Sequence, residues 1–367
     1  MGFRRAAAFL LLPLSFCLAQ NTVDLTKKAL SGDTRSQVSL GELYVAEENY
    51  AEAFRFYKLA SDQGLPEAQC ALGNMYRYGQ GVAQDYQEAL RLYRLAAEKA
   101  WPEAQFNLGV MYDNGHGVPQ DYREAARWYK ITADLGIADA QYNLGVLYAN
   151  GKGVAQDYKE AARLYRQAAE TRHIREAEFN LAVLYDNGQG VAQDYKEAAR
   201  WYGLAAGQGH PEAEFNLAVL YAGGQGVVQD YKEAAHWYKL AAGQGQIEAQ
   251  YNVGVMYAEG QGVDRDYKEA ARWYRMAAEQ GHRDAGFNLG GLYATGRGVS
   301  PDLEQAYTWF SVAAAEGDKD SVALLQKIAP KMTAQQIEKA KAVAAAWKPC
   351  KSKEECDARF VDVRLQP

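Results

Sequence analysis

The chain has 367 residues, of which 48% are hydrophobic and 23% charged, with 34 glycines, 26 tyrosines, only 9 prolines and a net charge of −6. An acidic balance makes nucleic acid an improbable partner, and this much apolar content is enough for a folded chain. The length would ordinarily imply two or three domains, but self-similarity at a fixed period overrides that reading, because a solenoid needs no central core.

Residues 1–19 differ from the rest. Arg4 and Arg5 precede the apolar run from Ala6 to Phe16, and the small Ala19 stands before Gln20. This is the pattern of a secretory signal peptide cleaved after Ala19. The alternative, a membrane anchor, has too few apolar residues for the roughly 20 needed to span a bilayer, so no stable span is expected after cleavage. Bulky Phe16 argues against lipid attachment at Cys17. Without Arg4 and Arg5 the chain carries 38 basic and 46 acidic residues, a net charge of −8. Residues 20–33 form an N-terminal lead.

From residue 34 to 317 the chain repeats. The first alanine of successive copies is Ala68, Ala104, Ala140, Ala177, Ala213, Ala249 and Ala285, a spacing of 36 broken once by 37. The extra residue lies in ETRHIREA, residues 170–177, a stretch expected to be a loop between helices. Each copy predicts two antiparallel helices. In the first, Ala177, Leu181, Leu184 and Tyr185 recur at spacings of three and four and form one apolar stripe. Gly188 and its counterparts (Gly79, Gly115, Gly151, Gly224, Gly260 and Gly296) predict a left-handed C-terminal cap, and a second glycine follows two residues later. The second helix opens on Asp194 with Glu197 three residues on, a capping signal repeated from Asp85/Glu88 to Asp302/Gln305. Its expected buried face is Tyr195, Ala198, Ala199, Trp201 or Tyr202, Ala205 and Ala206.

The pattern A-x-x-x-L-G/A-x-x-Y-x-x-G-x-G-V-x-x-D-Y-x-x-A-x-x-W-Y-x-x-A-A-x-x-G resembles the Sel1-like repeat, a relative of the tetratricopeptide repeat. Seven copies over residues 68–317 match it. Residues 34–67 make a shorter, more tetratricopeptide-like copy in which the G-x-G-V insert is missing between Tyr44 and Tyr50. The resemblance implies an all-α fold: a right-handed α/α superhelical solenoid of about eight two-helix repeats. After Gly317 the pattern degrades, and residues 318–348 predict a helical cap. There Thr333 and Gln336 form a capping box, and Ile337, Ala340, Ala344 and Trp347 line one face over the last repeat. In the tail, residues 349–367, Cys350 and Cys356 either form a local disulfide, favoured in an exported protein, or stay as two free thiols.

No cofactor or metal site is expected. His116, His173, His210, His236 and His282 fall at several repeat positions without partners at metal-ligand spacing, and read as surface residues. ANGKG at 149–153 has the wrong glycine spacing for a phosphate loop and follows a helix. DNGQGVAQDYKE at 186–197 has glycines where a calcium loop needs side-chain oxygens.

A partner site is expected on the first helices, which line the concave face in tetratricopeptide relatives. Counting each first alanine as position 1, position 3 holds Phe106, Tyr142, Phe179, Phe215, Tyr251 and Phe287, with Cys70 the exception. Position 4 is a row of asparagines, among them Asn107, Asn143, Asn180, Asn216 and Asn252, and position 7 holds Val110, Val146, Val183, Val219 and Val255. Amides can hold the backbone of an extended peptide while aromatics and valines receive its side chains. The alternative is that these rows pack helix against helix. The scarcity of Lys and Arg on this stripe, with only Arg77 basic, means that a clamp for a C-terminal carboxylate is not expected. The reading reached from sequence is a non-catalytic scaffold of the periplasm or extracellular space that binds another protein or peptide. The other reading is an envelope enzyme with dispersed catalytic residues.

Overall fold

The computed structural model describes residues 22–350 and Glu355, and among them every regular element is helical. Residues 1–19, expected from sequence to be a signal peptide, and Cys356 lie outside the described residues. After α1, residues 22–30, the helices follow as α2 Thr34–Ala46, α3 Tyr50–Asp62, α4 Pro66–Tyr78, α5 Tyr86–Glu98, α6 Pro102–Asn114, α7 Tyr122–Asp134, α8 Ala138–Asn150 and α9 Tyr158–Arg172. They continue as α10 Arg175–Asn187, α11 Tyr195–Gly207, α12 Pro211–Gly223, α13 Tyr231–Gly243, α14 Ile247–Glu259, α15 Tyr267–Glu279, α16 Arg283–Thr295, α17 Leu303–Ala315, α18 Lys319–Ile328 and α19 Ala334–Ala346. These are the consecutive helix pairs of an α-solenoid, with α18 and α19 as the expected end cap.

The chain divides into two compact units, residues 1–174 and 175–367. The division falls within the stretch holding the extra residue. There α9 runs to 15 residues where the other second helices have 13, and it ends on His173 in the left-handed conformation. The extra residue is therefore used partly as helix and not only as loop.

The pairing of helices follows from the small residues. The first helix carries glycine at position 6, and a Cβ built on Gly73, Gly109, Gly145 or Gly254 would lie only 2.6–2.8 Å from the ring of Tyr93, Tyr129, Tyr165 or Tyr274 on the second helix of the same repeat. These tyrosines are buried. The alanines of the second helix, Ala198, Ala199, Ala205 and Ala206 in one repeat, are buried as expected, together with Trp201 and Tyr202.

Repeats are joined by the second glycine of each loop. Gly153, at φ 71°, brings its Cα so close to the start of the preceding repeat's second helix that a Cβ would lie 2.3 Å from the Tyr122 carbonyl. The equivalent contact recurs from Gly117 to Tyr86 and from Gly226 to Tyr195. In one repeat the join is reinforced by Gln87 Nε2, which donates to the Gly117 carbonyl at 2.7 Å.

The caps differ from expectation in one respect. Asp194 accepts from the backbone N–H of Lys196 and Glu197, and the other repeat aspartates do the same. The reciprocal half of the capping box does not form, because the Asp194 N–H already donates to the Tyr185 carbonyl at 3.0 Å. The freed glutamate turns outward to an arginine one turn on, as in Glu88–Arg91 and Glu160–Arg163, both at 2.6 Å. The full box appears at Thr333 and Gln336. In the end cap, Ala340 is buried, Ile337 packs on the last core cluster, and Trp347 meets Trp309 edge-on at 6.2 Å. Cys350 is buried and disulfide-bonded, and its N–H donates to the Glu279 carbonyl. Its expected partner, Cys356, falls among the residues not described.

Position 2 supplies a second inter-repeat tie. Gln250 is buried, donates to the Ala242 carbonyl at 3.3 Å and accepts from Gln280 at 2.7 Å. Glu214 replaces this glutamine and is 3% exposed; it accepts from Gln244 at 2.8 Å. When ionised it has no proton to give the corresponding Ala206 carbonyl. Burial raises its pKa above the ordinary carboxylate value, opposed by the Gln244 hydrogen bond.

Two predictions follow from these contacts. Gly153→Ala should lower stability by about 3 kcal/mol or more through backbone overlap, whereas Gly136→Ala, at φ 84° with nothing within 4 Å, should lose only the ~1 kcal/mol of left-handed strain; urea denaturation compares them. A raised carboxyl pKa contributes stability that is complete below the unfolded value of about 4.3 and is lost as pH climbs through the folded value. Glu214→Gln should therefore stabilise the chain at pH 7 by roughly 1 kcal/mol, and the gain should shrink toward pH 4 in thermal melts.

Candidate functional site

The predicted partner residues share one stripe of the first helices. Starting from the residue before the first alanine (position 0), α6 presents Glu103, Phe106, Asn107, Val110 and Asp113, spaced three and four apart. The corresponding residues of α8 are Asp139, Tyr142, Asn143 and Val146. Phe106, Tyr142, Phe179, Phe215 and Tyr251 are all half-buried, as are Val110, Val146, Val183 and Val255, while Val219 is 38% exposed. The stripe is neither core nor free surface.

One edge of each aromatic is used for packing. Phe106 lies 5.8 Å from Tyr129, Tyr142 6.0 Å from Tyr165, Phe179 5.9 Å from Tyr202, Phe215 5.6 Å from Tyr238 and Tyr251 6.0 Å from Tyr274, ring centre to ring centre. Two of them are roofed by histidines that sequence reading had placed on the surface. His210 stacks on Phe179 at 4.3 Å and His282 on Tyr251 at 4.4 Å. Each histidine is also the N-cap of the next first helix, its Nδ1 accepting from Ala213 or Ala285. The two histidines stand two repeat periods apart at the same position, and that spacing was the missed signal. His116 likewise stacks on Tyr86, while His173 and His236 are exposed.

The asparagines bridge repeats as well as facing outward. Asn107 is buried; its amide donates to Asn74 Oδ1 at 3.2 Å and approaches the Cys70 sulfur at 3.8 Å, and its oxygen accepts from Arg77 at 3.3 Å. The Asn143 amide stands beside the Tyr129 phenol of the preceding repeat, and Asn216 beside Tyr202, each opposing the rise in the phenol's pKa. Burial pushes these phenols well above their ordinary pKa, so they stay protonated and donate, Tyr129 to Asp113 and Tyr202 to Asp186, each at 3.0 Å. Asn252 differs: its amide donates to the Glu248 carbonyl of its own helix. Asn180 is half-buried.

An open cavity of about 480 Å³ lies on this stripe at the N-terminal ends of α6 and α8, lined by Trp101, Phe106, Asn107 and Ile137 together with Glu103 and Asp139. Trp101 stands where His210 and His282 stand in later repeats, beside Cys70, which takes the place of the aromatic. Burial pushes the Cys70 thiol up, out of the range in which it would ionise.

Repeated helix pairs with alanine- and glycine-mediated packing, and a half-buried stripe along the first helices, define a tetratricopeptide-like α-solenoid. Eight copies of the Sel1 repeat are matched, at residues 38–65, 66–100, 102–137, 138–170, 175–210, 211–246, 247–282 and 284–318, and the chain belongs to this family. The short first copy is thus itself a Sel1 repeat. The chain is similar to a Sel1 repeat protein from Oxalobacter formigenes, at 34% identity over 83% of this chain and 89% of that one, with a TM-score of 0.60. It is also similar to c5321, a protective antigen of uropathogenic Escherichia coli with this fold, at 30% identity over 94% and 90% of the two chains and a TM-score of 0.49. No curated protein matches the sequence. Sel1 repeats generally form protein–protein interaction scaffolds.

The half-buried aromatics and the fully buried tyrosines should separate in denaturation experiments. Phe215→Ala is expected to cost about 2 kcal/mol, less than the ~3–5 kcal/mol of a fully buried aromatic, and Tyr238→Ala about 3 kcal/mol or more. Equal losses from the two would make Phe215 a core residue.

Proposed function

We propose that the chain is a non-catalytic, exported scaffold that binds another protein or a peptide segment along the first helices of its repeats. The observation that carries this reading is the state of the stripe. From α6 to α14 each first helix keeps a valine and an aromatic partly accessible at the same helical positions, although inward positions on the same helices are fully buried. A fold-only role would let these outward positions vary in character, whereas binding needs them apolar and aligned. Part of the row of amides is ordered before a partner arrives, as where Asn107 donates to Asn74 and Asn74 accepts the buried Tyr93 hydroxyl, which lowers the entropic cost of binding.

Export rests on the character of residues 1–19, with periplasm or extracellular space as the destination. N-terminal sequencing of the protein from its source cell should give a chain beginning at Gln20. For binding, a photoreactive phenylalanine analogue at Val219 should give a discrete crosslinked partner in the source cell, and the same analogue at exposed Lys232 on α13 should not. With the analogue placed at Val183 instead, Val219→Glu should abolish the adduct while leaving the melting temperature within about 2 °C of the parent, since surface changes cost little. Crosslinking of equal strength from Lys232 would contradict the assignment.

A further inference from the structure

The cavity at the N-termini of α6 and α8 has a charge pattern that its apolar lining does not require. Position 0 is acidic in every full repeat: Glu67, Glu103, Asp139, Glu176, Glu212, Glu248 and Asp284. In the second unit several of these are matched internally, His282 to Glu248 at 2.8 Å, Arg283 to Asp284 at 2.9 Å and Arg175 to Glu176 at 2.9 Å. Around the cavity of the first unit the balance is different. Glu103 accepts the neutral Asn74 amide, at 3.1 Å. Among the described residues no cation lies within ion-pair distance of Glu103. Arg77 of α4 is turned to Asn107 and to the ring of Tyr78.

Asp139, on the opposite rim, shows what these carboxylates take. Its Oδ2 receives the guanidinium of Arg172 at 2.7 Å, and both side chains are largely exposed. Arg172 reaches it because α9 carries the extra turn residues that the other second helices lack. The one irregularity in the repeat spacing therefore delivers a guanidinium to the rim of this cavity. An exposed pair of this kind contributes little to stability and is readily exchanged.

We infer that this cavity is a subsite for a lysine or arginine side chain of the bound segment, and that Arg172 is its intramolecular competitor. The assignment rests on the proposal that the first helices bind a peptide and names the chemistry of that peptide. The aliphatic stem of the incoming side chain lies along Trp101, Phe106 and Ile137, whose burial of methylenes supplies apolar contact. The cationic head sits between Glu103 and Asp139, displacing Arg172 from Asp139. A glutamate-bearing segment is repelled at the same place, so the subsite selects by charge as well as by shape.

The test uses the full-length mature chain and fluorescein-labelled, end-blocked octapeptide pools, degenerate in Ala, Val, Ser and Thr around one fixed central residue: Arg, norleucine or Glu. By fluorescence anisotropy at low salt, the Arg pool should bind about tenfold tighter than the norleucine pool, and the Glu pool weakest. Glu103→Gln, with an unchanged melting curve, should remove most of that preference, and Arg172→Ala should raise the affinity for the Arg pool about threefold. An Arg pool that binds no tighter than norleucine, or a preference that survives Glu103→Gln, would overturn the assignment. If the norleucine pool binds as tightly as the Arg pool and Val110→Glu abolishes both, the first-helix reading stands and the cation subsite falls. If no pool binds, the cation subsite falls, and the Val219 crosslink then decides the first-helix reading by itself.

Discussion

One contact organises the repeats: an aromatic ring of the second helix, a tyrosine in all but the last, seated on a position of the first helix that is glycine in most copies. Tyr129 on Gly109 shows its reach. The ring fills the space left by the missing side chain, its edge supports Phe106, and its hydroxyl donates to Asp113 of its own repeat beside Asn143 of the next. A single buried side chain thereby closes the helix pair, props the neighbouring aromatic and stands at the junction of two repeats. Where the position is Ala182 or Ala218 instead, the ring partners Tyr202 and Tyr238 remain buried, so the contact tolerates one methyl group. Backbone-to-backbone approach at the second loop glycine is less forgiving, because there nothing flexible can move aside.

This economy explains why the stripe is hard to classify as structure or site. Phe106 and Phe215 each pack on a tyrosine and remain half-buried, Phe179 is held between Tyr202 and His210, and Asn107 is a buried bridge between repeats on the same helical stripe. In a solenoid each repeat contacts only its neighbours, so residues at the junction of two repeats must serve the fold even when they serve a ligand. The valines are freer of this double duty, and Val219 is the clearest case.

Much of the fold could be read from spacing. The 36-residue period, the glycine after each first helix and the aspartate before each second helix all have local causes, and each sits where expected. The failures were tertiary. Glu197 looked like the second half of a capping box, but the N–H it would have bonded was already given to the Tyr185 carbonyl. His210 and His282 looked like unrelated surface residues, yet each caps a helix and roofs an aromatic of the preceding repeat. The extra residue near 172 looked like tolerated loop length, but it extends α9 and carries Arg172 to Asp139. In every case the decisive partner belongs to another element, which a helical-period reading does not reach.

The central claim is that the outward stripe of the first helices, ordered by the buried tyrosines, is the binding surface. Valine-methyl NMR of the mature chain, titrated with the partner recovered by crosslinking, tests it most directly. The account predicts selective shifts at Val110, Val146, Val219 and Val255, with none at Val228, which is 88% exposed in the loop before α13. Shifts concentrated at Val228, with the stripe valines unmoved, would contradict it.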